Sequence, residues 1–179
     1  MLPDSEPMDV FLHPGEYAFG EERTRIRTLL GSCVAITFWH PDLKVGAMCH
    51  YLLPSRPSVK AGLEGNYADE VIRSIASGFR DRGLQAEAFQ VKMFGGSNMF
   101  PDLSLDEVLS VGSKNIYMGE RILAECGFAI FKSDLAGQAQ RMVIFELWSG
   151  DVWVRQGPKR LSGRGISMLE PFTPRKRTS

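Results

Sequence analysis

Apolar residues recur along the chain with two spacings, and the switches between them predict the order of elements. Residues 26–39 read as strand, broken at Gly31-Ser32, and KVGAMCHYLL (44–53) reads as a second strand. HPDL between them is a turn signal, with Pro41 at the second turn position and Asp42 following, so the two runs are expected to pair antiparallel. Over NYADEVIRSIASGFRDRG the spacing lengthens. Ala68, Val71, Ile72, Ile75, Ala76 and Phe79 fall on one side of a helix that Asn66 can cap and Gly83 can end. AEAFQVKMF (86–94) returns to strand. GGSNMFPDLSLDEVLSVGS (95–113) is glycine-rich, polar and long for a plain connector, which favours a functional loop. A second helix is expected from Lys114 to Cys126, with Ser113 as cap and Gly127 as terminator. Three short strands follow, FAIFKS, RMVIFELW and DVWVR, the last two forming a hairpin about Ser149-Gly150. The ends, about 1–10 and 165–179, lack such patterning and read as loose tails of one domain spanning 1–179. Two helices interrupting a mostly antiparallel set of strands make an α+β layered domain.

The register of the first hairpin decides which side chains share a face. With the turn at residues 40–43, Trp39 faces Lys44, Val34 faces Cys49 and Cys33 faces His50. Val34, Ile36 and Phe38 then lie with Val45, Ala47 and Cys49 on a wholly apolar face, which reads as core. Cys33, Ala35 and Thr37 lie with Gly46, Met48 and His50 on the other. A thiol beside an imidazole is a nucleophile beside its base, with its pKa expected to fall. Gly31-Ser32 lets the backbone turn sharply and brings amide N–H groups near the thiol, where they can hold an oxyanion. A packed cysteine with a satisfied histidine is the plainer reading of the same residues. Zinc on Cys33, Cys49, His50 and His40 is a third, opposed by sheet geometry, because neighbours Cys49 and His50 point to opposite faces.

Charge and composition narrow the partners. Lys plus Arg and Asp plus Glu both number 21, so nothing favours a bulk electrostatic grip on nucleic acid or an anionic membrane, and a protein or small molecule is the expected partner. The three cysteines include no CxxC pair, which fits a reducing cytosol better than a disulfide framework. MLPDSEPMDV is no signal peptide, and no apolar run approaches the ~18–20 residues of a membrane span. Direct membrane insertion is therefore not expected, and any work at a membrane depends on recruitment by a partner.

The segments HPGEYAF, LGSCVAI, VGAMCHYLLP, NYADEVI, KMFGGSNMF, SVGSKNIYMGERIL and SDLAGQAQRMVIFELWSGDVWV stand in that order from residue 13 onward, across roughly four-fifths of the chain. Together they resemble the CheD family, the chemoreceptor glutamine deamidases of bacterial chemotaxis. The resemblance implies a layered α/β/β sandwich. It implies Cys33 as the nucleophile, His50 as its base, and Thr28 in RTLLGSC as a third catalytic residue, although some members place one more residue between that threonine and the cysteine. The implied reaction converts glutamine side chains of methyl-accepting chemoreceptors to glutamate through a thioester, with no metal or organic cofactor, in the cytoplasm at receptor arrays. Gly31, Ser32, Gly95, Gly96, Ser97 and Asn98 are expected about the substrate. SDLAGQAQR is a further loop of this kind, with Ala136 where the family often has glycine. A CheC-type phosphatase is an implied second partner. The alternative is a non-catalytic adaptor that binds receptors or that phosphatase, against which stands the retention of a thiol opposite an imidazole.

Overall fold

A computed structural model describes residues 6–57, 65–99 and 111–157. Among them lie strands β1 (Met8–Phe11), β2 (Tyr17–Gly20), β3 (Thr24–Leu30), β4 (Val34–His40) and β5 (Val45–Tyr51), helix α1 (Ala68–Arg80), strand β6 (Gln90–Gly95), helix α2 (Val111–Glu125), and strands β7 (Ile130–Leu135), β8 (Arg141–Glu146) and β9 (Asp151–Gln156). The strands form two sheets, ordered β1-β3-β8-β9 and β2-β5-β4-β6-β7. Among the strand pairings of the described residues, β1–β3 and β6–β7 are parallel and the rest antiparallel. The α+β class with mostly antiparallel strands is as expected.

Three layers follow from where the apolar side chains go. Strands β4 and β5 lie inside the five-stranded sheet and bury both faces. One face, with Val34, Ile36, Phe38, Ala47 and Cys49, packs under Val71, Ile72, Ile75 and Phe79 of α1 and Ile122 and Leu123 of α2. The other, with Ala35 and Met48, packs on Ile26, Leu30, Val143, Phe145 and Val152 of the four-stranded sheet. That second sheet has a solvent side, and its strands β3 and β8 accordingly alternate buried and less buried positions. The result is an α/β/β sandwich. Its two sheets are tied at one end by Trp39 Nε1–H, which donates to the Leu147 carbonyl at 2.8 Å, and by Lys92 Nζ, which donates to the Gly150 carbonyl at 2.9 Å.

Helix α1 buries the six residues its spacing picks out. Tyr67, not Asn66, occupies its N-cap, without a side-chain capping bond. Ser113 lies inside α2 instead of capping it. Residues 8–10 are no loose tail: they belong to β1, whose burial is slight, so that pairing beside β3 and not apolar patterning makes it a strand. Residues 1–5 and the expected tail at 165–179 lie outside the described residues.

The break at Gly31-Ser32 proves to be a change of layer. Strand β3 ends at Leu30 in the four-stranded sheet and β4 begins at Val34 in the five-stranded one. The turn after β4 has the expected four residues but lies one position further along the chain, at 41–44 instead of 40–43. His40 pairs with Val45, and Lys44, at φ +51°, closes the loop by donating its N–H to the His40 carbonyl at 2.8 Å. His50 therefore stands opposite Ala35 and Tyr51 opposite Val34. Cys33 lies before the strand, so the expected direct pairing of Cys33 with His50 is incorrect. The slip is by two residues, which leaves every side chain on the face assigned to it.

Candidate active site

His50 sits at the buried boundary between the two sheets, 1% exposed. Its backbone is held on both sides by the segment before β2: its N–H donates to the Glu16 carbonyl at 2.9 Å and its carbonyl accepts from Gly15 N–H at 2.7 Å. Its side chain reaches across to the other sheet, where Nδ1 lies 2.7 Å from Oγ1 of Thr28 on β3. Thr28 is itself fully buried, and its hydroxyl donates to the Leu12 carbonyl at 2.7 Å. A hydroxyl has one proton to give, and a carbonyl can only accept. With that proton committed to Leu12, Thr28 accepts from Nδ1–H, and the neutral imidazole carries its lone pair on Nε2. Nε2 is buried and makes no hydrogen bond, so neither Cys33 Sγ nor any other described group occupies it.

Both titrations favour the uncharged forms. Burial pulls the His50 pKa down to about 4, opposed by the Leu12 backbone and the charge of Glu16. Burial pushes the Cys33 thiol up, opposed by its own backbone N–H. The expectation of a depressed thiol pKa is thus overturned: the nearest polar groups do not outweigh desolvation. Cys49, enclosed in the helix-side core, is pushed to about 12, in keeping with its reading as a core residue.

Gly31, Ser32 and Cys33 are each partly exposed, and all three of their carbonyls are taken from behind. Gly31 O accepts from Ser97 N–H at 2.9 Å, Cys33 O from Gly96 N–H at 2.8 Å, and Ser32 O from Nδ2 of Asn115 at 3.4 Å. The peptides are trans, so each N–H points away from its own carbonyl. The amides of Ser32 and Cys33 accordingly point away from these braces, and among the described residues no other residue accepts from them.

Gly95, Gly96 and Ser97, expected about the substrate, are buried behind this turn, and of that loop group only Asn98 is partly exposed. A Cβ on Gly95 would lie 2.3 Å from the Cys33 carbonyl oxygen, and one on Gly96, at φ +68°, would lie 2.5 Å from Ile116. Glycine here permits backbone to approach backbone within the chain. The Asn98 N–H donates to Gly137 O at 2.8 Å, which joins this loop to the 136–140 turn. There Ala136 keeps a left-handed φ of +61° in the place of a glycine, its N–H donating to Gly95 O at 2.8 Å.

Arg141, which the sequence did not single out, ties the two loops together. It is 3% exposed on β8, and its guanidinium donates to Ser97 Oγ at 2.5 Å, to Ala136 O at 2.7 Å and to Asp134 Oδ1 at 3.1 Å. With a longer bond to Ala139 O at 3.5 Å, a planar fork serves four acceptors in fixed directions, which an ammonium cannot match. Arg141→Ala is expected to lower stability by about 2–4 kcal/mol, since a set of charge-assisted bonds made by one buried guanidinium is lost. Arg141→Lys should recover less than half of that in urea denaturation.

Among the described residues no group of three or more His, Cys, Asp or Glu is placed to hold a metal ion. Among the described residues no helix is long and apolar enough to cross a membrane.

A family model described as CheD chemotactic sensory transduction matches residues 52–156. A protein of Chromobacterium violaceum named "Probable chemoreceptor glutamine deamidase CheD 1" is 45% identical over 159 residues, covering 86% of this chain and 81% of its own. A protein of Pseudomonas fluorescens named "Probable chemoreceptor glutamine deamidase CheD" is 42% identical over 154 residues, covering 86% of this chain and 87% of its own. One of Leptospira interrogans with the same name as the first is 38% identical over 167 residues, covering 87% and 97%.

Proposed function

Because this chain belongs to the CheD family, we propose that it hydrolyses glutamine side chains of chemoreceptors to glutamate, with Cys33 as nucleophile, His50 as general base and acid, and Thr28 positioning the imidazole. The observation that carries the chemistry is the buried, unpaired Nε2 of a histidine whose other nitrogen is fixed by Thr28. Such an atom is a base held ready in one tautomer.

The steps follow from two uncharged partners. When the carboxamide arrives, Nε2 takes the thiol proton as sulfur attacks the amide carbon, so the charged pair exists only in the course of the reaction. The carbonyl oxygen becomes an oxyanion, which the outward amides of Ser32 and Cys33 receive. The imidazolium gives its proton to the departing nitrogen, ammonia leaves, and a thioester remains. Nε2 then takes a proton from water as the water oxygen attacks the thioester, and returns it to sulfur. The product carboxylate adds a negative charge to the receptor. No step requires a metal or organic cofactor. Gly95, Gly96 and Ser97 brace the nucleophile's turn from behind, and Asn98 is the member of that loop left to meet the substrate. In the same reading the protein works in the cytoplasm at receptor arrays, with a CheC-type phosphatase as a second partner.

The test is a receptor cytoplasmic fragment incubated with the protein and analysed by mass spectrometry. Conversion adds about one dalton per glutamine, and about three in ¹⁸O-labelled water, because the new hydroxyl oxygen comes from solvent. A fragment that is bound but keeps its glutamines would overturn the enzyme reading in favour of the adaptor.

A further inference from the structure

Asn115 on α2 is fully buried, and its side-chain amide touches both halves of the site. Nδ2 donates to Leu52 O at 2.7 Å and to Ser32 O at 3.4 Å. Ser32 immediately precedes Cys33, and Leu52 follows His50 by two positions on the chain leaving β5. A primary amide nitrogen has two hydrogens, and both are engaged by carbonyls of different segments. The orientation of the amide is fixed by chemistry, since its own oxygen could not face two carbonyl oxygens. Helix α2 is in turn fixed at this residue, where Tyr51 Oη donates to the Asn115 carbonyl at 2.9 Å.

The remaining atom is the informative one. Oδ1 of Asn115 is buried with no partner, a costly condition for an interior acceptor. An apolar side chain of similar size would remove that cost. What such a side chain lacks is the pair of donors.

We propose that Asn115 is a positioning residue that sets the separation of Cys33 and His50 by clamping Ser32 and Leu52 to one point on α2. It touches neither substrate nor reacting atoms. The proposal rests on the Cys33–His50 reading of the site, which the wild-type assay tests separately.

The experiment compares wild type, Asn115→Asp, Asn115→Ser and Tyr51→Phe. Asp keeps the shape but turns an oxygen toward the two carbonyls. Ser keeps one short donor. Tyr51→Phe removes a comparable buried hydrogen bond, to the Asn115 backbone carbonyl, and leaves both Nδ2 bonds in place. Each full-length protein is assayed below its melting temperature for kcat and KM on the receptor fragment, and for iodoacetamide alkylation of Cys33, which needs no receptor. Both Asn115 variants are expected to lose about tenfold or more in kcat with KM within about twofold, and to change the rate and pH profile of Cys33 alkylation. Tyr51→Phe should show lower melting but near-normal kcat. The proposal is overturned if a folded Asn115 variant turns over within about threefold of wild type, or if kcat falls no further than in a Tyr51→Phe protein of equal melting temperature. If Asn115→Asp does not fold, the same two outcomes are read from Asn115→Ser. A wild type that leaves glutamines intact refutes the deamidase reading, while the alkylation comparison still decides whether the clamp acts on Cys33.

Discussion

Cys33→Ala is expected to leave receptor glutamines unconverted, at least about 10⁴-fold slower than wild type. The alanine keeps the Gly31–Ser32 turn and its three backbone bonds, which run through carbonyls and not through sulfur. What disappears is the atom that forms the thioester. Water left in its place must attack an unactivated carboxamide with a base aligned for a different oxygen or sulfur. Because Cys33 is partly exposed and lies at the margin of the inter-sheet core, its truncation should change the urea midpoint little. Loss of conversion with retained folding, read on one sample by mass spectrometry and circular dichroism, is the expected pair of results. Conversion at the wild-type rate would remove the thiol from the chemistry.

His50→Gln has an effect on rate of about 10²–10⁴-fold and a second effect on stability, with a sign fixed by its pKa. The folded value, about 4, lies below the ordinary 6.5. Between those values the unfolded chain binds the extra proton and the folded one does not. The contribution of His50 to stability is therefore complete above about pH 6.5 and is lost as pH falls toward 4, on the order of 3 kcal/mol across the window. Glutamine does not titrate, so the variant should show a flatter stability curve between pH 7 and 4. Urea midpoints for both proteins across that range measure it. An equally steep curve in the variant would show that another group is responsible. The kinetic loss should fall on kcat, because the imidazole moves protons and grips no part of the ground-state substrate in the proposed steps.

Much of the scaffold could be read from spacing alone, for a physical reason. Helix α1 buries a single stripe, so Ala68 to Phe79 announce it. Strands β4 and β5 bury both faces, and their faces separate correctly because side chains alternate with period two. Register was harder. It depended on Lys44 adopting a left-handed conformation, for which lysine carries no sequence signal, and the pairing shifted by two. Strand β1 was illegible because it buries almost nothing and owes its form to its neighbour. At the site, Cys33 and His50 stood out through the expected hairpin register and again through motif resemblance, and Thr28 through the resemblance alone. The structure adds the hydrogen bond between Thr28 and His50 and removes the direct pairing of Cys33 with His50. Leu12, Asn115 and Arg141 could not be found, since a backbone acceptor, a helical amide and a strand arginine acquire meaning only when chain segments meet. HPGEYAF entered only as one of the resembling segments, and through Gly15 and Glu16 it proves to hold the backbone of His50.

The imidazole and its threonine belong to different sheets, and the thiol rides on the three residues by which the chain passes from one sheet to the other. Reactive alignment is thus a measure of how the two slabs are stacked. A small sliding of one slab over the other misaligns base and nucleophile while every strand and helix stays formed. Denaturant or heat should therefore silence the chemistry before any loss of secondary structure is visible, and repacking of the layer between the sheets will tune turnover from a distance.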